Sequence, residues 1–144
     1  MLISGEWAVG DDGVSRPVIR GEVETTSGDW IAARFLVDTG ADRTVFSADV
    51  LKDLGLPPLV TPDRLEGVGG RAASVVVETR IRLLREDGTT VLFRGQYAAL
   101  TDPDALDISV LGRDLLNLFA VIVDRPQNVV CLVGQSHSYT VIQS

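Results

Sequence analysis

The chain has 144 residues, 45% of them hydrophobic, with a formal net charge of −7 and a sequence pI near 4.6. That is one domain's length, apolar enough to fold and too acidic to hold a nucleic-acid backbone. The single Cys131 excludes an internal disulfide and suits a reducing compartment; residues 1–10 lack the basic and apolar regions of a secretory leader, and no stretch reaches the ~20 apolar residues of a membrane span, so a cytoplasmic protein with no membrane partner is expected.

Taken in order, residues 1–15 form an acidic N-terminal arm or short first strand, with Asp11-Asp12-Gly13 as a turn signal. Residues 16–25 form a strand with Val18 and Val23 facing the core, and Ser27-Gly28-Asp29 turns it into a return strand, residues 30–37. Ser47 caps a short helix that Gly55 closes and Pro57-Pro58 cannot continue. Residues 74–84 form a long strand. In its second half Val77, Thr79, Ile81 and Leu83 alternate with Glu78, Arg80 and Arg82, as on a half-exposed sheet. Glu86-Asp87-Gly88 folds it back onto residues 89–100. A loop marked by Pro103 precedes a short buried strand, residues 108–111, then one or two helical turns over residues 113–118. A final hairpin spans residues 120–133, and 134–144 is a polar tail. Many short strands separated by turns predict a single all-β domain over 1–144, closed or sandwich-like.

Three stretches carry chemistry. In the first, the apolar run Phe35-Leu36-Val37 delivers Asp38 on the turn Thr39-Gly40-Ala41-Asp42-Arg43, and Val45-Phe46 follows at once. A carboxylate between apolar flanks is either a turn residue capping its own backbone or a functional acid or base. The second stretch is Leu65-Glu66-Gly67-Val68-Gly69-Gly70, rich in glycine and set between β-prone runs. A phosphate loop would need a following Lys-Ser or Lys-Thr and a helix, and neither is present. The third is Val110-Leu111-Gly112-Arg113-Asp114, an apolar strand passing through glycine into a helix start.

In this order the three stretches resemble the retropepsin-type aspartic proteases, the single-domain retroviral enzymes and their bacterial and cellular relatives. Asp38-Thr39-Gly40-Ala41 with the following Asp42, the Gly67-Val68-Gly69-Gly70 segment and the Gly112-Arg113-Asp114 stretch carry the likeness, whose landmarks span residues 30–119. It implies a retropepsin-like acid protease fold with a short helix after the Gly112 strand. It also implies a symmetric homodimer, because the chain holds one Asp-Thr-Gly and the chemistry uses two carboxylates.

The resemblance assigns roles residue by residue. Asp38, one per subunit, is the catalytic acid and base. Thr39 bonds across the two-fold axis, and Gly40 lets the backbone approach substrate. Ala41, Asp42, Arg43 and Val110 contact the peptide, and Leu65, Glu66, Gly67, Val68, Gly69 and Gly70 form a flap that closes over it. Gly112 and Arg113 support the site, with Arg113 paired to Asp42. Arg43 is expected either to meet acidic substrate side chains or to stand solvated at the cleft rim. Neither cofactor nor metal is implied. His137 is the lone histidine and Cys131 the lone cysteine, too few for a zinc site or a nucleophilic dyad away from the tail. The expected partner is a peptide or protein substrate. The alternative is a retropepsin-fold peptide-binding or dimerisation module with little proteolytic activity. Retroviral enzymes interleave both chain termini at the dimer interface; here the chain runs on through residues 120–133, which leaves that interface open.

Overall fold

A computed structural model describes residues 2–57, 63–67, 70–134 and 142; of residues 63–67 and 70–72 it gives the backbone course only. Among these described residues eleven strands and two short helices follow one another: β1 (Leu2–Ser4), β2 (Glu6–Val9), β3 (Ser15–Glu24), β4 (Trp30–Val37), β5 (Val45–Phe46), α1 (Ala48–Leu54), β6 (Asp63–Gly67), β7 (Gly70–Leu84), β8 (Thr90–Leu100), β9 (Ser109–Leu111), α2 (Arg113–Leu116), β10 (Ala120–Asp124) and β11 (Val129–Val133). The all-β expectation holds, and α2 follows Gly112 as predicted.

Eight strands form one sheet in the order β2-β3-β4-β9-β5-β8-β7-β6. A further pairing of β3 with β7, Gly21↔Leu83 to Val23↔Ile81, closes the middle six into a ring. Closure removes open edges and gives the strands one shared interior. Phe35, Phe46, Ile81, Leu83, Val77 and Leu111 are fully buried there. Phe46 lies 6.3 Å from Phe35 and 5.5 Å from Tyr97, both tilted, the offset geometry that aromatic quadrupoles favour. The alternation expected over β7 is observed: Val77, Thr79, Ile81 and Leu83 point inward, while Arg80 and Arg82 face Glu24 and Glu22 outside.

Local signals act where the sequence placed them. Ser47 accepts the Val50 N–H and Gly55, at φ 66°, ends α1. Gly28 and Gly88 take φ 85° and 88° in the two hairpin turns, a region costly for residues with a Cβ.

A second sheet has three strands, β1-β11-β10, with β11 in the middle. The arm seen in the sequence therefore ends as β1, seated on the last strand of the same chain, and continues as β2, which pairs with β3. Trp7 of β2 donates to the Val129 carbonyl at 3.2 Å and carries the Arg125 guanidinium over its ring. Among the described residues no helix is long and apolar enough to cross a membrane.

Candidate active site

Along β4, Ala33, Phe35 and Val37 point into the core while Ala32 and Arg34 face out. The next position, Asp38, is half-buried at the strand's end, and its N–H donates to the Leu111 carbonyl of β9 at 3.2 Å. β9 lies between β4 and β5, parallel to β4 and antiparallel to β5. The chain thus leaves β4, makes the Asp38 turn and returns as β5 on the far side of β9. This crossing fixes the turn against the sheet.

Within the turn, Gly40 donates its N–H to Asp38 Oδ1 at 3.0 Å, and Ala41 donates to the Asp38 carbonyl at 3.2 Å. The backbone-capping contact is therefore present. It occupies one carboxylate oxygen; among the described residues Asp38 Oδ2 accepts no hydrogen bond and the carboxylate has no ion pair. A carboxylate oriented through one oxygen, with the other free, is poised to hold a water or a substrate atom.

Two adjacent residues of α2 clamp the turn from both ends. Arg113 donates to the Thr39 carbonyl at 2.9 Å and also bonds Asp42, the pairing expected from the sequence. Its backbone N–H donates to the Ala41 carbonyl at 2.9 Å. Asp114 accepts from the Thr44 N–H and hydroxyl, and the Thr44 oxygen accepts from the Gly112 N–H at 3.2 Å. Thr44 is wholly buried, so these bonds replace water it cannot reach. Gly112 earns its place by close approach: a Cβ there would sit 2.3 Å from the Arg43 carbonyl carbon.

Thr39, Gly40, Asp42 and Arg43 are exposed. Arg43 is held between the two clamps, and among the described residues its guanidinium makes no hydrogen bond or ion pair. Val110, expected to touch substrate, is only 8% exposed and pairs with Leu36 and Val45. Leu65, Glu66, Gly67 and Gly70 lie on the hairpin of β6 and β7, paired from Asp63↔Ser74 to Gly67↔Gly70. Val68 and Gly69 lie outside the described residues, as do Pro58 and most of the polar tail. Among the described residues no group of three or more His, Cys, Asp or Glu is placed to hold a metal.

Thr44 belongs to the site's frame and carries no local signal for it; Asp114 stands in the Gly112-Arg113-Asp114 stretch singled out above, but with no partner assigned to it. Asp114 reads as an ordinary acidic residue in a helix's first turn, and its partner is 70 positions away. The same is true of Ser109, whose oxygen accepts the Ser47 N–H at 3.0 Å and joins β9 to the start of α1. Two open cavities of about 390 and 400 Å3 lie elsewhere, and Asp38 lines neither.

Residues 23–115 match the family model described as aspartyl protease. Among solved structures, a retropepsin-like aspartic protease from Rickettsia conorii superposes with a TM-score of 0.56 at 20% identity, covering 92% of this chain and 97% of that one. The EIAV protease complexed with the inhibitor HBY-793 gives 0.47 at 20% identity, over 71% of this chain and 86% of that one. The retroviral protease-like domain of Ddi1 from Leishmania major gives 0.46 at 16%, over 83% and 90%. A search of curated protein sequences finds no match. The first of these structures establishes a retropepsin-like fold.

Proposed function

This chain belongs to the aspartyl protease family, and from that premise we propose that it is a homodimeric aspartic endopeptidase whose active site is shared between two copies. The carrying observation is Asp38 at the end of β4, oriented by Gly40 through one oxygen and held by the α2 clamp. The loop around it is tied by hydrogen bonds at both ends, the kind of fixing that preorganised catalysis requires.

The chemistry follows from two such carboxylates meeting. Like charges a few ångströms apart cannot both ionise easily, so the pair shares one proton and titrates as a unit. The ionised carboxylate takes a proton from a water held between them while that water attacks the scissile carbonyl carbon. The protonated one donates to the carbonyl oxygen, giving a neutral gem-diol. That intermediate collapses with proton transfer to the leaving nitrogen, which departs as an amine. Thr39 bonds across the axis. Ala41, Asp42 and Arg43, with the β6–β7 hairpin as the flap, bind the peptide, and Val110, buried in β9 between Leu36 and Val45, supports the Asp38 turn. Arg43, set between the two clamps and unpartnered among the described residues, favours acidic substrate side chains.

A peptide-library digestion with the wild-type chain and with Asp38→Asn tests this. Cleavage by wild type that vanishes in a folded Asp38→Asn supports the reading. No cleavage by either, with peptide still bound, favours a binding module.

A further inference from the structure

We propose that the open cavity beside β3, β4 and the start of α1, about 390 Å3 in volume, is a binding site for a small zwitterion: a free amino acid or a short peptide whose ammonium and carboxylate are both unblocked. Asp38 does not line it, and the inference does not depend on whether the chain cleaves peptides.

The first observation is a repulsion left in place. The antiparallel register of β3 and β4 sets Arg20 directly opposite Arg34, both exposed, and like charges so opposed destabilise a sheet. Glu6 neutralises Arg20 at 2.6 Å. Among the described residues the Arg34 guanidinium has no hydrogen bond and no ion pair. Both arginines line the cavity. A planar fork of donors with no partner suits a carboxylate, which it can take through two parallel bonds.

The second observation is a pair of buried hydroxyls. Ser47 is 4% and Ser109 1% exposed, and both line the same cavity. Ser47 Oγ accepts the Val50 N–H at 3.5 Å, and Ser109 Oγ accepts the Ser47 N–H at 3.0 Å. Each oxygen is used as an acceptor, and among the described residues neither O–H donates. Buried donors seldom go without an acceptor. The oxygens of a carboxylate in the cavity supply one.

The third is the opposite charge. Asp49 of α1 and Asp107, just before β9, line the cavity as well; both are exposed, and among the described residues neither has a hydrogen bond or an ion pair. Arg16, whose field reaches Asp107, is already tied to Asp12 by two bonds. Two free carboxylates turn away a multiply charged anion such as a phosphate ester and give an ammonium its place. Ala33, Val50 and Ile108 add apolar wall for an aliphatic side chain. Free cation, free anions and apolar wall together complement a zwitterion, and the volume lies in the range of small-molecule sites.

Titration of the isotope-labelled full chain with leucine and with alanyl-leucine tests this through amide shifts. Saturable shifts at Ala33, Val50 and Ser109 are expected, with a Kd of about 1 mM for ligands of this size. Blocking either end, as in acetyl-leucine or leucinamide, should weaken binding about tenfold. Arg34→Ala should do the same, and so should Asp49→Asn combined with Asp107→Asn; these side chains are exposed, so the folded spectrum should persist. Arg94→Ala removes an arginine of the other opposed pair, Arg80↔Arg94, at the second cavity, and should leave the Kd unchanged. Acetyl-leucine binding as tightly as leucine would make this a plain anion site and overturn the zwitterion. No saturable shift at about 10 mM of either probe, ten times that Kd, or shifts confined to Gly40 and Ala41 at the Asp38 turn, would overturn the site itself and leave the protease reading standing.

Discussion

Asp114 and Thr44 stand 70 positions apart, and the carboxylate of one takes both the N–H and the hydroxyl of the other, at 2.9 and 2.8 Å. The bond joins the outgoing arm of the Asp38 loop to the helix that holds its incoming arm. Asp114→Ala leaves two buried donors of Thr44 unpaired, a cost of about 2–6 kcal/mol from the usual penalty per orphaned group. Asp114→Asn keeps an acceptor and should lose less than half of that. Urea midpoints at constant slope measure both.

Gly112→Ala probes the same junction sterically. Its Cβ has no room beside the Arg43 backbone, which is not a flexible side-chain tip and cannot swing aside. The loop must shift or α2 must detach. The expected result is a loss of about 3 kcal/mol or more, in the range of strong overpacking, together with lost cleavage. A variant as stable as wild type would mean that the crossing of β9 under the loop is looser than described.

For Asp38→Asn, cleavage should fall by several orders of magnitude with the urea midpoint nearly unchanged. Mixing wild-type chains with an excess of Asp38→Asn should depress activity beyond dilution, since each mixed dimer has one ionisable carboxylate. Activity that merely scales with the wild-type fraction, under conditions where subunits exchange, would argue against a shared site.

Tyr97 provides a pH prediction. Burial, and then the Asp114 carboxylate, push its phenol up to about 12. It stays neutral and donates to the Phe93 carbonyl at 2.8 Å. A phenol raised above its unfolded value, 10.0, contributes stability that is whole below pH 10.0 and is lost as pH climbs toward about 12. Alkaline unfolding followed by circular dichroism should show that limb, and Tyr97→Phe should flatten it. Tyrosinate absorbance of the native protein should show one tyrosine titrating late.

Arg43 makes substrate choice testable by charge reversal. Arg43→Glu should lower kcat/KM for peptides with acidic side chains near the scissile bond and raise it for the matching basic peptides. A shift of about tenfold corresponds to about 1.4 kcal/mol, within reach of a partly desolvated charge pair. Equal effects on both peptide sets would return Arg43 to a solvated side chain at the rim.

Much of the architecture was legible in the chain. Hairpin turns showed through Gly28 and Gly88, the helix cap through Ser47 and Gly55, and the buried face of β7 through alternation, because each is a property of neighbouring residues. Asp38, Gly112 and Arg113 were legible as a motif, and the Asp42–Arg113 pair with them.

A closed sheet was one of the two arrangements expected, but which strands close it was not legible, because the closing pairs Gly21↔Leu83 to Val23↔Ile81 join strands that each already read as complete. Asp114 holding Thr44 was hidden for the same reason: a carboxylate in a helix's first turn is ordinary until the fold brings a buried hydroxyl 70 positions away against it. Nor could the sequence show that β1 pairs with β11 of its own chain, with β1 and β10 at the two edges of that sheet. Local chemistry, one or a few residues long, is written along the chain and determined the strands, the turns and the place of the Asp38 carboxylate at the end of its strand. Which strands close on one another, which donors are buried and which edge stays open depend on contacts between distant segments, and only the tertiary structure decides them.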